Sequence, residues 1–177
     1  MESFLSKLQH ITTFVFDVDG VLTDGSVFVT ESGEQSRAFN IKDGYALQLA
    51  VKCGYNVCAI SGSRSKSAIH RLNSLGITDV YMGVNTKATK FKVYLEEKHI
   101  HATNVLYMGD DIPDISVMKL AGLPVCPADA VEEIKAISTY VSPFPGGKTA
   151  VRDVIEKVMK IQGTWFDPNP SAADSGK

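Results

Sequence analysis

The chain has 177 residues, 44% of them apolar and 21% charged, a size and composition that fit a single globular domain. Its 18 basic and 20 acidic residues leave a net charge of -2, so the charge balance gives no sign of a nucleic-acid or membrane partner and favours a small soluble ligand. Three cysteines, Cys53, Cys58 and Cys126, stand in apolar contexts, which reads as reduced core thiols and not a disulfide framework.

The opening segment MESFLSKLQHITTFVF shows no charged leader with a cleavage site, and no run is long enough to span a bilayer, so a cytoplasmic protein is expected. From Thr12 to Asp17 the first β-rich run begins, and five more follow: Tyr55-Ser61, Val80-Gly83, Val105-Asp110, Leu123-Cys126 and Tyr140-Ser142. Helical spacing falls between them at Lys42-Cys53, Ser65-Leu75, Thr86-Lys98, Pro113-Ala121, Ala130-Ile137 and Thr149-Ile161. The alternation predicts an α/β fold, a Rossmann-like parallel sheet flanked by helices. TTFVFD and VLYMGD are almost continuously apolar and end in acid, as central parallel strands should, and both acidic tips belong at the carboxyl edge of the sheet.

One segment breaks the rhythm. Ser26-Thr30 and Ser36-Asn40 alternate around the turn at Glu31-Glu34, which predicts a β-hairpin flap over about residues 24–41. Open strand edges on such a flap call for a partner, so an oligomer contact is expected there. The domain is expected to span residues 1–163, with 164–177 a mobile tail rich in Pro, Ser, Asp and Gly.

The chemistry concentrates in four places. Asp17 and Asp19, in Asp17-Val18-Asp19-Gly20, leave the first strand one residue apart: one carboxylate is placed to attack phosphorus and the other to handle the leaving group's proton. Gly109-Asp110-Asp111-Ile112-Pro113-Asp114 ends a second strand, and carboxylates gathered from two strand ends repel unless a cation sits among them. Their hard oxygens select Mg2+. Ser61, before Gly62, offers a hydroxyl and nearby amides to a phosphoryl oxygen, although such a serine is ordinarily an N-cap; Lys87 offers an ammonium, or is a solvated helix residue.

Taken in order, DxDGVLTDG, Ser-Gly after a strand, Lys at a helix start and GDDxxD closely resemble the haloacid dehalogenase superfamily of phosphatases. The resemblance implies that Asp17 is the nucleophile and Asp19 the general acid and then base. It implies that Ser61 and Lys87 hold the phosphoryl group, and that Mg2+ is ligated by Asp17, the Asp19 carbonyl and Asp110, with Asp111 and Asp114 in the shell behind. The intervals between motifs are too short for a cap domain. FDVDGVLTDG, AFNIKDGYALQLA, GDDIPDISVMKLAGLPVCPADA and GGKTAVRDVIEKVM look like the capless family that hydrolyses 3-deoxy-D-manno-octulosonate 8-phosphate, tetrameric enzymes of lipopolysaccharide synthesis. That narrower likeness implies a homotetramer acting on a sugar-acid phosphate, with Gly62, Asp43, Gly44 and Lys148 among the substrate contacts. The chain departs from the family's Thr-Gly-Arg-Lys at Ser61-Gly62-Ser63-Arg64-Ser65-Lys66, where Arg64 or Lys66 could still pair with the substrate carboxylate or simply start a helix. Gly146, Gly147, Lys148 and Arg152 could also cover a neighbour's site. A nine-carbon sugar-acid phosphate is the alternative substrate, and a non-catalytic regulatory subunit the alternative role.

Overall fold

Strand β1 (Thr13–Phe16) is buried along its whole length. Phe14 and Phe16 enter one core and Val15 another on the opposite face, so every position is apolar or sealed and the run cannot alternate with polar residues. The structure, a computed structural model, describes residues 4–166. After α1 (Phe4–Leu8) and β1 come the hairpin strands β2 (Phe28–Val29) and β3 (Gln35–Ser36). The chain continues through α2 (Ile41–Lys52), β4 (Asn56–Ile60), α3 (Lys66–Ser74), β5 (Asp79–Tyr81), α4 (Lys87–Lys98), β6 (Val105–Met108) and α5 (Ile115–Met118). It closes with β7 (Leu123–Cys126), α6 (Glu132–Ile137), β8 (Tyr140–Val141) and α7 (Ala150–Ile161).

The main sheet is parallel and six-stranded, in the order β5-β4-β1-β6-β7-β8. The chain winds outward from β1 to β5 on one side, then returns beside β1 and winds outward from β6 to β8. Connections therefore leave in opposite directions between β1 and β6, and a crevice opens at the carboxyl ends of those two strands. Register makes the crevice narrow: Phe16 pairs with Met108, and the Asp17 amide donates to the Met108 carbonyl at 3.0 Å.

One core lies between the sheet and α1, α2, α3 and α7; the other packs α4, α5 and α6 against the opposite face. Helix α7 shows why it forms where it does. Ala150, Val151, Val154, Ile155, Val158 and Met159 recur at three- and four-residue spacing and are all buried, each large side chain contributing roughly 1.5–3 kcal/mol before its entropy cost.

The βαβ architecture matches the expectation; several details do not. The Pro113-Ala121 helix shrinks to a tight turn over Ile112–Asp114 and the four residues of α5. Only two residues of each hairpin strand pair, because the neighbouring residues are committed elsewhere: Arg37 reaches the first loop and Asn40 caps α2. Helix α1 went unforeseen, its apolar positions being too few for periodicity to register. Cys53 is exposed, unlike the buried Cys58 and Cys126, since it ends α2 at the surface. The expected tail is anchored at its start: the Thr164 hydroxyl lies 2.8 Å from the Tyr55 hydroxyl and Trp165 packs on the core. Residues 167–177 lie outside the described residues. Among the described residues, no helix is long and apolar enough to cross a membrane.

Candidate active site

The site is built on the loop that follows β1. Gly20 adopts φ +83°, and a Cβ there would collide with the Asp110 carboxylate, so only glycine lets the first loop fold against the end of β6. Asp17, 8% exposed, leaves β1 beneath this turn. Asp110 arrives from β6, and Asp114 enters from the turn after it, fully buried. One carboxylate oxygen from each of Asp17, Asp110 and Asp114 can be chosen so that all three lie within 4.8 Å of one another.

Lys87 begins α4 and is 7% exposed. Its ammonium sits 3.0 Å from Asp17 Oδ1 and 2.8 Å from Asp114 Oδ1. Burial pulls its pKa down, but Asp17 and Asp114 outweigh that and hold it above the ordinary lysine value. One ammonium does not neutralise three carboxylates. Burial first, then repulsion from Asp114, raises Asp17 to about 6 despite Lys87. Burial, followed by Asp17 and Asp114, raises Asp110 to about 7.

The donors around these groups divide their roles. Asp114 is saturated: Oδ1 accepts from Lys87 and, at 2.6 Å, from the Tyr107 hydroxyl, while Oδ2 accepts from the Asp110 amide. Asp110 Oδ1, in contrast, is buried without a hydrogen-bond partner, and Asp17 Oδ1 has the Lys87 charge beside it but no aligned hydrogen bond. Unsatisfied buried carboxylate oxygens are costly, and a divalent cation between Asp17 and Asp110 would satisfy both. All the donors are hard oxygens, which fits Mg2+. Asp114 then acts from behind, orienting Lys87 and the Asp110 backbone. Asp111, at the cavity's edge, spends one side-chain oxygen on the Ile112 amide.

A cavity of about 340 Å³ brings together Asp17, Asp19, Ser61, Gly62, Lys87, Asp110, Asp111 and Asp114. Ser61 is 2% exposed and its hydroxyl accepts from the Ser63 amide; the cap of α3 is Ser65, which accepts from Ala68. The competing N-cap role thus falls to Ser65, leaving Ser61 on the cavity wall. Arg64 and Lys66 line a separate adjoining hollow of about 670 Å³ between α3 and the hairpin.

Three residues expected as substrate contacts, Asp43, Gly44 and Lys148, do not line this cavity within one chain. Asp43 accepts from the Thr149 amide at 3.2 Å and the Arg152 amide at 2.8 Å, so its carboxylate caps α7. Gly44 faces Arg71, where a Cβ would come within 2.5 Å of the guanidinium. Lys148 is exposed and 3.7 Å from Asp24. Gly146 and Gly147 press on their own chain: a Cβ on Gly146 would strike the Gly20 carbonyl, and the Gly147 amide donates to Val21. Arg152 pairs with Glu156 and lies over the Trp165 ring. Tyr107 and Arg37 were not foreseen. The continuous apolar run VLYM buries Tyr107 without revealing that its hydroxyl meets Asp114, and no local pattern ties Arg37 to Asp19.

Comparison with known proteins gives consistent relatives. A family model described as haloacid dehalogenase-like hydrolase matches residues 62–155. The 3-deoxy-D-manno-octulosonate 8-phosphate phosphatase KdsC of Escherichia coli K12 is 38% identical over 159 residues, covering 90% of this chain and 85% of that protein. The crystal structure of the Yersinia pestis phosphatase of the same name superposes with a TM-score of 0.88 at 34% identity, over 90% of this chain and 86% of that one. The Moraxella catarrhalis phosphatase, solved with magnesium, phosphate and KDO, gives 0.87 at 32% identity, over 90% and 91%.

Proposed function

The chain belongs to the haloacid dehalogenase-like hydrolase family, and from that membership and the cavity's geometry we propose that it hydrolyses 3-deoxy-D-manno-octulosonate 8-phosphate through an aspartyl-phosphate on Asp17. The observation that carries the reading is the meeting of Asp17, Asp110 and Asp114 with Lys87 at two strand ends. Mg2+ is the cofactor; Asp17 and Asp110 would hold it, with the Asp19 carbonyl taken over from the family pattern, and it would neutralise charge on the carboxylates and the phosphoryl oxygens.

The residues supply the rest. Asp17 attacks phosphorus, forming an O–P bond as the bond to the sugar oxygen breaks, and Asp19 delivers a proton to that oxygen. Water then attacks the same phosphorus and gives its proton to Asp19, and the Asp17–phosphorus bond breaks to release phosphate. Lys87 restrains Asp17 on the side facing Asp114, while Ser61 and the Gly62 backbone lie where they can receive phosphoryl oxygens. Arg64 and Lys66, in the adjoining hollow, are the side chains we assign to the sugar acid's carboxylate. We assign the protein to the cytoplasm and to a homotetramer joined through the hairpin, whose Phe28 and Val29 are each 63% exposed.

Phosphate release from the eight-carbon substrate, with Mg2+ and after chelation, tests the reaction. Activity lost on chelation and restored by Mg2+ is expected, and Asp17→Asn should lower kcat by at least about 10³-fold, as removal of a covalent nucleophile does. Near-normal turnover by that variant would sink the mechanism. Preference for a nine-carbon sugar-acid phosphate would overturn the substrate.

A further inference from the structure

Arg37, immediately after β3, sends its guanidinium into the active-site loop. Its side chain is 5% exposed. Nε donates to Asp19 Oδ1 at 2.6 Å and Nη2 to Asp19 Oδ2 at 3.2 Å, while Nη2 also donates to Ser63 Oγ at 3.0 Å and to Gln35 at 3.5 Å. Three elements meet on this one group: the hairpin, the β1 loop and the loop after β4. Its Nη1 is buried without a partner, so burial of the guanidinium is not explained by satisfied packing alone.

The geometry is asymmetric between the two oxygens of Asp19. Oδ1 is held by the short Nε bond, whereas Oδ2 takes the longer bond from a nitrogen shared with Ser63. Asp19 remains 33% exposed and borders the cavity that holds Asp17. We propose that Arg37 is a positioning residue for Asp19: it anchors Oδ1 so that Oδ2 is presented to the leaving oxygen, and ties that presentation to the hairpin stem. In the first step the proton on Asp19 Oδ2 passes to the departing sugar oxygen as the phosphorus–oxygen bond breaks; in the second, the attacking water's proton returns to Asp19. Arg37 neither gains nor loses a proton. The inference rests on the reading of Asp19 as acid and base.

Leaving-group dependence tests it. Departure of a sugar alkoxide needs the proton, whereas p-nitrophenolate leaves readily without one, and kcat/KM reports the phosphoryl transfer to Asp17 in both cases. Arg37→Met should lower kcat/KM for the sugar-acid phosphate by about 10²-fold, the low end of an acid–base contribution, and that for p-nitrophenyl phosphate by less than about threefold. Arg37→Lys, which keeps a charge and a donor on the hairpin, should fall between, and added guanidinium should partly restore the Met variant. In the Asp19→Asn background, Arg37→Met should produce no further selective loss. Equal losses on both esters, or none on either, would overturn the positioning role. Should Arg37→Met fail to fold, Arg37→Lys alone decides, since a purely structural substitution would not discriminate between the esters. If Asp19→Asn itself shows no selectivity, the reading of Asp19 fails and the proposal falls with it.

Discussion

Asp17 and Asp110 owe their chemistry to a conflict that the fold imposes on them. Register brings the ends of β1 and β6 level, and burial and mutual repulsion raise the two groups from the ordinary 3.8 to about 6 and about 7. The metal-free folded chain therefore holds protons that the unfolded chain has released, and folding stability falls as pH rises from about 4 to about 7. Mg2+ needs both groups ionised and competes with those protons, so its stabilising effect should grow over the same interval. Melting curves with Mg2+ and with EDTA across that range check the sign; a Mg2+ shift that shrinks with rising pH would contradict it. Asp110→Asn should separate stability from function. By removing one repelling charge it should raise the metal-free melting temperature at neutral pH, by about 2–4 °C for each kcal/mol relieved, while abolishing the Mg2+ response and turnover. Asp17, Asp19, Ser61, Lys87 and Asp110 were readable because each stands beside a strand end or helix start, where the local sequence announces the position. Arg37 was not, because its partners Asp19 and Ser63 lie 18 and 26 residues away and no local pattern connects them.

At the level of the elements, the same division between local and distant holds. The strands and long helices were legible since burial of both sheet faces leaves continuous apolar runs and α7 repeats its apolar positions every third or fourth residue. Cap partners across the chain were not. Asp43, read as a substrate contact, binds the amides of Thr149 and Arg152, 106 and 109 residues onward, while Thr149 itself sits at φ +79° and makes no side-chain cap bond. Helix α7 thus borrows its N-terminal acceptor from α2, and burial raises the Asp43 pKa against the pull of those amides. Asp43→Ala should cost about 1–2 kcal/mol, as loss of a capping side chain does, and lower the melting temperature by a few degrees. kcat should hold near its original value at a temperature where the variant is folded. A large kcat loss with an unchanged melting temperature would return Asp43 to the substrate-binding set.

Across the whole molecule, no cap domain stands over the site among the described residues, and a cavity of about 340 Å³ lies open beside a hairpin that one chain does little to support. Two residues per strand cannot stabilise a ribbon alone, yet Val27, Phe28 and Val29 present apolar side chains to solvent, 40%, 63% and 63% exposed. In the proposed assembly copies of the chain would bury this ribbon, and Arg37 sits at its stem with Asp19 in its grip. Assembly and acid–base catalysis should therefore fail together. Phe28→Asp combined with Val29→Asp should convert an oligomer into a species near the 19.2 kDa chain mass in analytical ultracentrifugation. Because Asp17, Lys87 and Asp110 belong to strand and helix ends within the chain, the dissociated variant should still cleave p-nitrophenyl phosphate, but lose most of its kcat/KM on the sugar-acid phosphate. A monomeric variant with full activity on the sugar-acid phosphate would show that one chain alone closes its site and fixes Asp19. A wild-type protein already sedimenting as a monomer would leave the hairpin's exposed residues with no neighbour to bury them.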